Sequence, residues 1–187
     1  MIDKTFMFLL GELNTYLGAV FPSAEPHAVL SNLVMPDGTV PPAIDNKVVI
    51  TIANLEREMT AVNSTRSRPE TGANVRLTQP LNLNICFLLS ASFAGDYVEA
   101  LRFLSTSLGF LQSKSVFTPQ NSANFPRGLE MLTVELVNLD VHHLQNLWAT
   151  TGAKYLPSAY YKARMLTLQD GWVTDRVPVV GAVETKV

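Results

Sequence analysis

The chain has 187 residues, enough for one domain with a real core. Only 16% of it is charged, against roughly 25% in an ordinary soluble domain, and its formal net charge of -2 argues against a nucleic-acid binder, which would carry a basic face. Its one cysteine, Cys86, excludes an internal disulfide, and no run of about 18 apolar residues is present to cross a membrane.

The N-terminal segment places Ile2, Phe6, Leu9, Leu13, Leu17 and Val20 at helical spacing, with Asp3 as a plausible cap and a stop before Pro22. Gly11 and Gly18 either permit close packing of this helix or weaken it. The segment does not read as a signal peptide: Asp3 precedes Lys4, and Glu12 interrupts a short apolar run at Phe6 to Leu10. The expected setting is therefore the cytoplasm. Ala28 to Val34 predicts a short strand before a Met35-Pro36-Asp37-Gly38 turn, and Lys47 to Leu55 a β-branched strand.

Periodicity is lost from Thr60 to Pro80, which predicts a long loop containing Arg66 and Arg68. Leu81 to Phe93 then alternates strongly. Leu81, Leu83, Ile85, Phe87, Leu89, Ala91 and Phe93 form a core face; Asn82, Asn84, Cys86, Ser90 and Ser92, interrupted only by Leu88, form a polar one. Asp96 caps a helix presenting Tyr97, Leu101, Leu104, Leu108 and Leu111. A turn-rich stretch from Phe117 to Leu129 leads into a strand around Leu132 to Leu136. The helix after Asp140 carries Leu144, Leu147 and Trp148 and ends at Gly152. Tyr160 to Leu168 predicts a strand, and Asp170-Gly171 a hairpin that brings Trp172 to Val177 back onto it. This order predicts an α+β fold: a single domain over 1–177, mainly an antiparallel sheet with about three helices packed on it, followed by an extended tail at 178–187.

Chemistry-bearing patterns are sparse. His142 and His143 sit about 100° apart on a helix and do not share a metal ion comfortably; with His27 they are the only histidines, and no metal or cofactor site is expected. Cys86 has no base near it in sequence, so a buried structural thiol is the favoured reading over a nucleophile. Glu56 and Glu58, flanking Arg57, are expected to be solvated. Tyr155, Tyr160 and Tyr161 suit a protein interface better than a base-stacking or sugar-stacking site. No catalytic residue is assigned. The low charge instead suits surface that becomes covered in an assembly, since uncharged polar groups lose less on desolvation.

The most specific signal is the ordered series FTPQN from Phe117, ELVNL from Glu135, LW at Leu147-Trp148, GAKYLPS from Gly152 and YKARML from Tyr161. With Leu30-Ser31-Asn32-Leu33, Asn46-Lys47-Val48 and Leu81-Asn82-Leu83-Asn84, it resembles the terminator, or cap, proteins of contractile injection systems, the phage-tail-like particles that bacteria make. The resemblance covers most of the chain. It implies a structural protein without enzymatic activity. It also implies a homo-hexameric ring that ends the inner tube and anchors the last sheath layer, with the tube protein, the sheath protein and itself as partners. No nucleic acid and no membrane insertion are implied. Such a protein would assemble in the cytoplasm and then belong to the particle, which is released in some systems. Better-known members continue past Val187, which leaves open what contacts a longer C-terminal extension would add.

Within this frame the irregular segments are the expected assembly contacts: Arg66 and Arg68 in the long loop, Phe117, Thr118, Pro119, Gln120 and Asn121, and Val179, Val180 and Val183 in the tail. The valines are strong strand formers, and a β-rich terminus can add itself to a neighbouring subunit's sheet. The alternative is a baseplate or tube-associated adaptor of the same particle. More distant readings are a cysteine hydrolase using Cys86 and a toxin cargo carried in the tube.

Overall fold

The computed structural model describes residues 1–58, 67–70, 73–77, 81–168 and 173–178, with backbone alone at 67–70, 73–77, 165–168 and 173–178. Among the described residues, three α-helices, α1 (Ile2–Val20), α2 (Tyr97–Ser113) and α3 (Val141–Thr151), accompany nine strands: β1 (Ala28–Leu30), β2 (Lys47–Arg57), β3 (Ser67–Glu70), β4 (Ala73–Leu77), β5 (Leu81–Ser92), β6 (Val116–Phe117), β7 (Leu132–Leu136), β8 (Ser158–Leu168) and β9 (Val173–Pro178). A six-stranded sheet has the order β1-β2-β5-β8-β7-β6; a three-stranded sheet has the order β3-β4-β9. The α+β expectation holds. The main sheet is antiparallel except where β1 runs parallel to β2, with Ala28 opposite Val48.

The helix faces follow from which side chains leave water. In α1, Phe6, Leu9, Leu13 and Leu17 are buried as the spacing predicts. Asp3 is not its cap. The helix begins one residue after Met1, and the Asp3 carboxylate instead accepts from the terminal amine at 2.8 Å. Nothing lies within 4 Å of a β-carbon built on Gly11 or Gly18, so these glycines serve no close packing. Asn14 clamps the next element: its amide accepts from the Ala28 N–H at 2.8 Å and donates to the Ala28 carbonyl at 3.0 Å. That pair substitutes for a ladder partner and ties β1 to the helix.

In α2 the Asp96 cap is real, its carboxylate accepting from the Glu99 N–H at 2.9 Å. The buried stripe, however, is Ala100, Phe103, Leu104, Ser107, Phe110 and Leu111. Tyr97 and Leu101, expected inside, are 63% and 42% exposed. Phe103 and Phe110 rotate the helix toward themselves because larger rings bury more area. In α3, Asp140 caps through the His143 N–H at 2.8 Å, and Gly152 closes the helix at φ 68°, a left-handed conformation that glycine adopts without penalty.

The alternation along β5 is real, but its second face is not open. Asn84, Cys86, Leu88 and Ser90 are all buried. One core, between α1, α2 and the sheet, takes Ile85, Phe87, Leu89 and Ala91. A second, on the opposite face, gathers Leu33, Ile44, Val49, Leu88 and Trp148, with Leu144, Leu147 and Leu156 against it. The chain after β1 and helix α3 thus cover the face that small and polar residues suggested would meet solvent. Leu88, the one break in the polar pattern, was the trace of that second core.

The 60–80 stretch is not free of regular structure. It contains β3 and β4, paired antiparallel with Arg68 opposite Val75. To this local pair a non-local one is added: β4 also pairs with β9, Val75 opposite Arg176. Thus β9 does not fold back on β8; among the described residues its partner is β4. Asp170, Gly171 and Trp172 lie outside the described residues.

Candidate assembly surfaces

The segment from Lys114 to Ser122 is held in shape by its own polar groups. The Asn121 amide oxygen accepts from the Thr118 N–H at 2.9 Å and from the Ser122 hydroxyl at 2.9 Å, while its nitrogen donates to the Val116 carbonyl at 2.9 Å. The Lys114 ammonium donates to the Glu12 carboxylate at 2.6 Å and to the Asn121 carbonyl at 3.2 Å. It also sits 5.0 Å from the centre of the Phe117 ring. One cation therefore joins α1, the end of α2 and the loop. Pro119 and Gln120 stand exposed on this brace, and Thr118 is half-buried. Phe117 is different. It is fully buried, edge-on to Phe8 at 5.7 Å, and has no surface to give a neighbour. Replacing Lys114 by methionine is expected to cost about 1–3 kcal/mol, because Glu12 loses its partner while only 23% exposed. Faster hydrogen exchange at the Thr118 and Asn121 amides than in the unchanged protein is the accompanying check.

The residues with catalytic potential form a strap across the sheet. Lys162 on β8 pairs with Glu56 on β2 at 2.7 Å, over Cys86 of the strand between them. The Cys86 thiol donates to the Glu56 carboxylate at 3.5 Å. Burial pushes the thiol pKa up, and the Glu56 carboxylate adds to this, the reverse of what a thiolate nucleophile needs. The second glutamate is equally engaged: the Asn84 amide donates to Glu58 at 2.7 Å. So Glu56 and Glu58 are not the free solvated charges the sequence suggested. The three tyrosines do not converge. Tyr160 lies with the second core, and Tyr161 stacks on Phe87 at 5.5 Å, its own pKa pushed to about 12 by burial. Tyr155 stands exposed beside Trp148. His143 is bonded to Asp140 at 2.8 Å. No group of three or more metal-ligating side chains comes together among the described residues.

The strap has a defined pH response. The hydrogen bond from Lys162 holds the Glu56 carboxyl below its usual range, and that same bond raises Lys162. The Glu56 contribution to stability is complete above its unfolded pKa and lost as pH falls through the folded one; the Lys162 contribution is complete below its unfolded pKa and lost as pH rises through the folded one. The melting-temperature gap between the unchanged protein and Glu56→Gln is expected to be widest near neutral pH and to close as pH drops below about 4. Thermal melts across pH check it.

Sequence reasoning missed several exposed apolar residues. Ile52 and Leu55 on β2 and Leu81 at the start of β5 are 40%, 52% and 40% exposed. Tyr97, Val98 and Leu101 are 63%, 75% and 42% exposed on α2. Apolar spacing alone reads such residues as core. The β2 edge beyond β1 is guarded: the strand bulges between Ile52 and Asn54, and the Asn54 side chain accepts from the Leu55 N–H at 2.9 Å. The edge strands of the smaller sheet carry Pro69 and Pro178. Arg68 lies in register with Val75, which in turn pairs with Arg176. Arg66, Val179, Val180 and Val183 lie outside the described residues. Among those described, no helix is long and apolar enough to cross a membrane.

Over its whole length the fold is similar to that of a sheath/tube terminator of an extracellular contractile injection system, PVC, in its extended state: TM-score 0.63 at 17% identity, covering 100% of this chain and 63% of that one. It is also similar to the tube-terminating cap of the anti-feeding prophage, with a TM-score of 0.59 at 14% identity over 100% of this chain and 61% of that one. The chain thus spans about three-fifths of the length of these terminators. No curated protein matches it by sequence. The model of the Pvc16 N-terminal domain matches residues 6–182, and the chain belongs to that family.

Proposed function

We propose that this protein is a structural terminator of a contractile injection system, a ring that ends the inner tube and anchors the last layer of sheath. The observation that carries the reading is the similarity of the entire chain to two tube-terminating proteins, together with its family. The chemistry agrees with it: the Cys86 thiol is buried and raised, and the carboxylates beside it are occupied. The protein works by shape and surface and makes no covalent bond.

Its partners on this reading are further copies of itself in a homo-hexamer, the tube protein and the sheath protein. It is assembled in the cytoplasm and stays with the particle. The braced loop at Thr118, Pro119, Gln120 and Asn121 is a contact with the tube or the sheath. Its uncharged, prefixed form limits both the desolvation and the ordering that docking costs. Arg66 and Arg68 belong to a second contact. Val179, Val180 and Val183 extend to a neighbouring sheet, the domain proper ending near residue 177. An adaptor at the baseplate remains the second reading, since the two would share this fold.

Gold labelling of the protein on purified particles separates them. Label at the end distal to the baseplate is the expected result; label at the baseplate, or none on the particle, contradicts the terminator reading.

A further inference from the structure

Two unlike apolar patches lie at opposite ends of β5. The strand spans the 12 residues Leu81–Ser92, about 40 Å at the usual rise. Leu81 opens the strand and shares a face with Leu55 and Ile52 of β2, which lie opposite Ile85 and Phe87 on the side that packs on α1 and α2. The helices still bury Phe87 and Ile85, so the exposure falls on β2, beyond its pairing with β1, and on the first residue of β5. Just past the end of β5, the first turns of α2 expose Tyr97, Val98 and Leu101.

We propose that the sheet end bearing Ile52, Leu55 and Leu81 in one copy receives the first turns of α2, bearing Tyr97, Val98 and Leu101, from the next copy. This deepens the terminator reading and rests on it, by naming the surfaces through which subunits meet. Charge is complementary. Arg57 lies two residues beyond Leu55 on the same face, is exposed, and forms no ion pair among the described residues. Asp96 and Glu99 flank the α2 patch; Asp96 is exposed, and Glu99 pairs with Arg102 at 3.5 Å. A tyrosine and an arginine among aliphatic residues is the usual make-up of an interface core. The bulge and the Asn54 bond at the β2 edge disfavour strand addition there, which leaves a contact of sheet face with helix. Unlike surfaces at opposite ends of one subunit join head to tail, the contact type from which closed rings are built. A two-fold dimer would instead join like to like.

Two variants test this, Leu55→Asp and Val98→Asp. Both residues are more than half exposed, so each variant should melt where the unchanged protein does. Sedimentation of the unchanged protein is expected to show concentration-dependent self-association, weakened about ten-fold or more in each variant. An equimolar mixture should form a one-to-one heterodimer and nothing larger, because one intact sheet end meets one intact helix. An unchanged protein that stays monomeric, a variant that associates normally, or a mixture that remains monomeric or grows beyond the dimer overturns the proposal. The terminator reading fails separately, through normal tube lengths in cells lacking the protein. The inference alone fails if those tubes are overlong and both variants restore their length.

Discussion

Replacing Phe117 by alanine is expected to lower the free energy of unfolding by about 3–5 kcal/mol. The ring is fully buried, meets Phe8 edge-on at 5.7 Å and Phe110 at 6.3 Å, and receives the Lys114 ammonium on its face. Alanine leaves a cavity under the loop and removes all of these contacts at once, and neighbouring rings close such a space poorly. For a domain of this size the melting temperature should fall by roughly 6–20 °C. Gln120→Ala, three residues on and exposed, should change stability by no more than about 0.5 kcal/mol and act on particle assembly instead. Thermal or urea unfolding of both variants makes the comparison. A Phe117→Ala protein as stable as the unchanged one would mean that the ring is not the anchor of this loop.

Trp148→Ala is expected to have an effect of similar size, about 3–5 kcal/mol, through a different route. Trp148 is the buried residue of α3; Leu144 and Leu147 are only half-buried beside it. Its indole fills the second core against Leu33, Ile44, Val49 and Leu88. Removing it should undock α3 and expose the second face of β5, where Ser90 and Asn84 carry side-chain oxygens without partners. The indole N–H is likewise unpartnered, so Trp148→Phe loses volume but no hydrogen bond and should cost less than the alanine change. Far-ultraviolet circular dichroism with hydrogen exchange over 141–151 reads both effects. A rigid α3 in Trp148→Ala would place its anchor elsewhere.

Much of this fold is legible in the sequence because local chemistry and tertiary packing agree. The Asp96 cap, the helix after Asp140 with its Gly152 stop, and the alternation that begins at Leu81 each stand in the structure where their residues placed them. The misreadings share one cause. Tyr97 and Leu101 have the spacing of a core stripe, yet Phe103 and Phe110 set the rotation of α2. The polar face of β5 reads as solvent-facing, yet α3 and the chain after β1 close over it, and only Leu88 betrays them. Strands β3 and β4 show no periodicity of their own; β3 pairs with its chain neighbour β4, and the other partner of β4, β9, lies some hundred residues away, a range at which pairing leaves no local mark. The resemblance carried by the ordered words from Phe117 onward led to the family. The apolar patches at the two ends of β5 escaped notice, since nothing in a sequence tells an exposed leucine from a buried one.

The central claim is that the protein stops a growing polymer by covering its end. Electron microscopy of particles from cells lacking it measures this most directly, as a distribution of tube lengths. Overlong or unsheathed tubes, returned to one length when the protein is supplied again, are the predicted result. An unchanged length distribution with sheath intact to the distal end would contradict it.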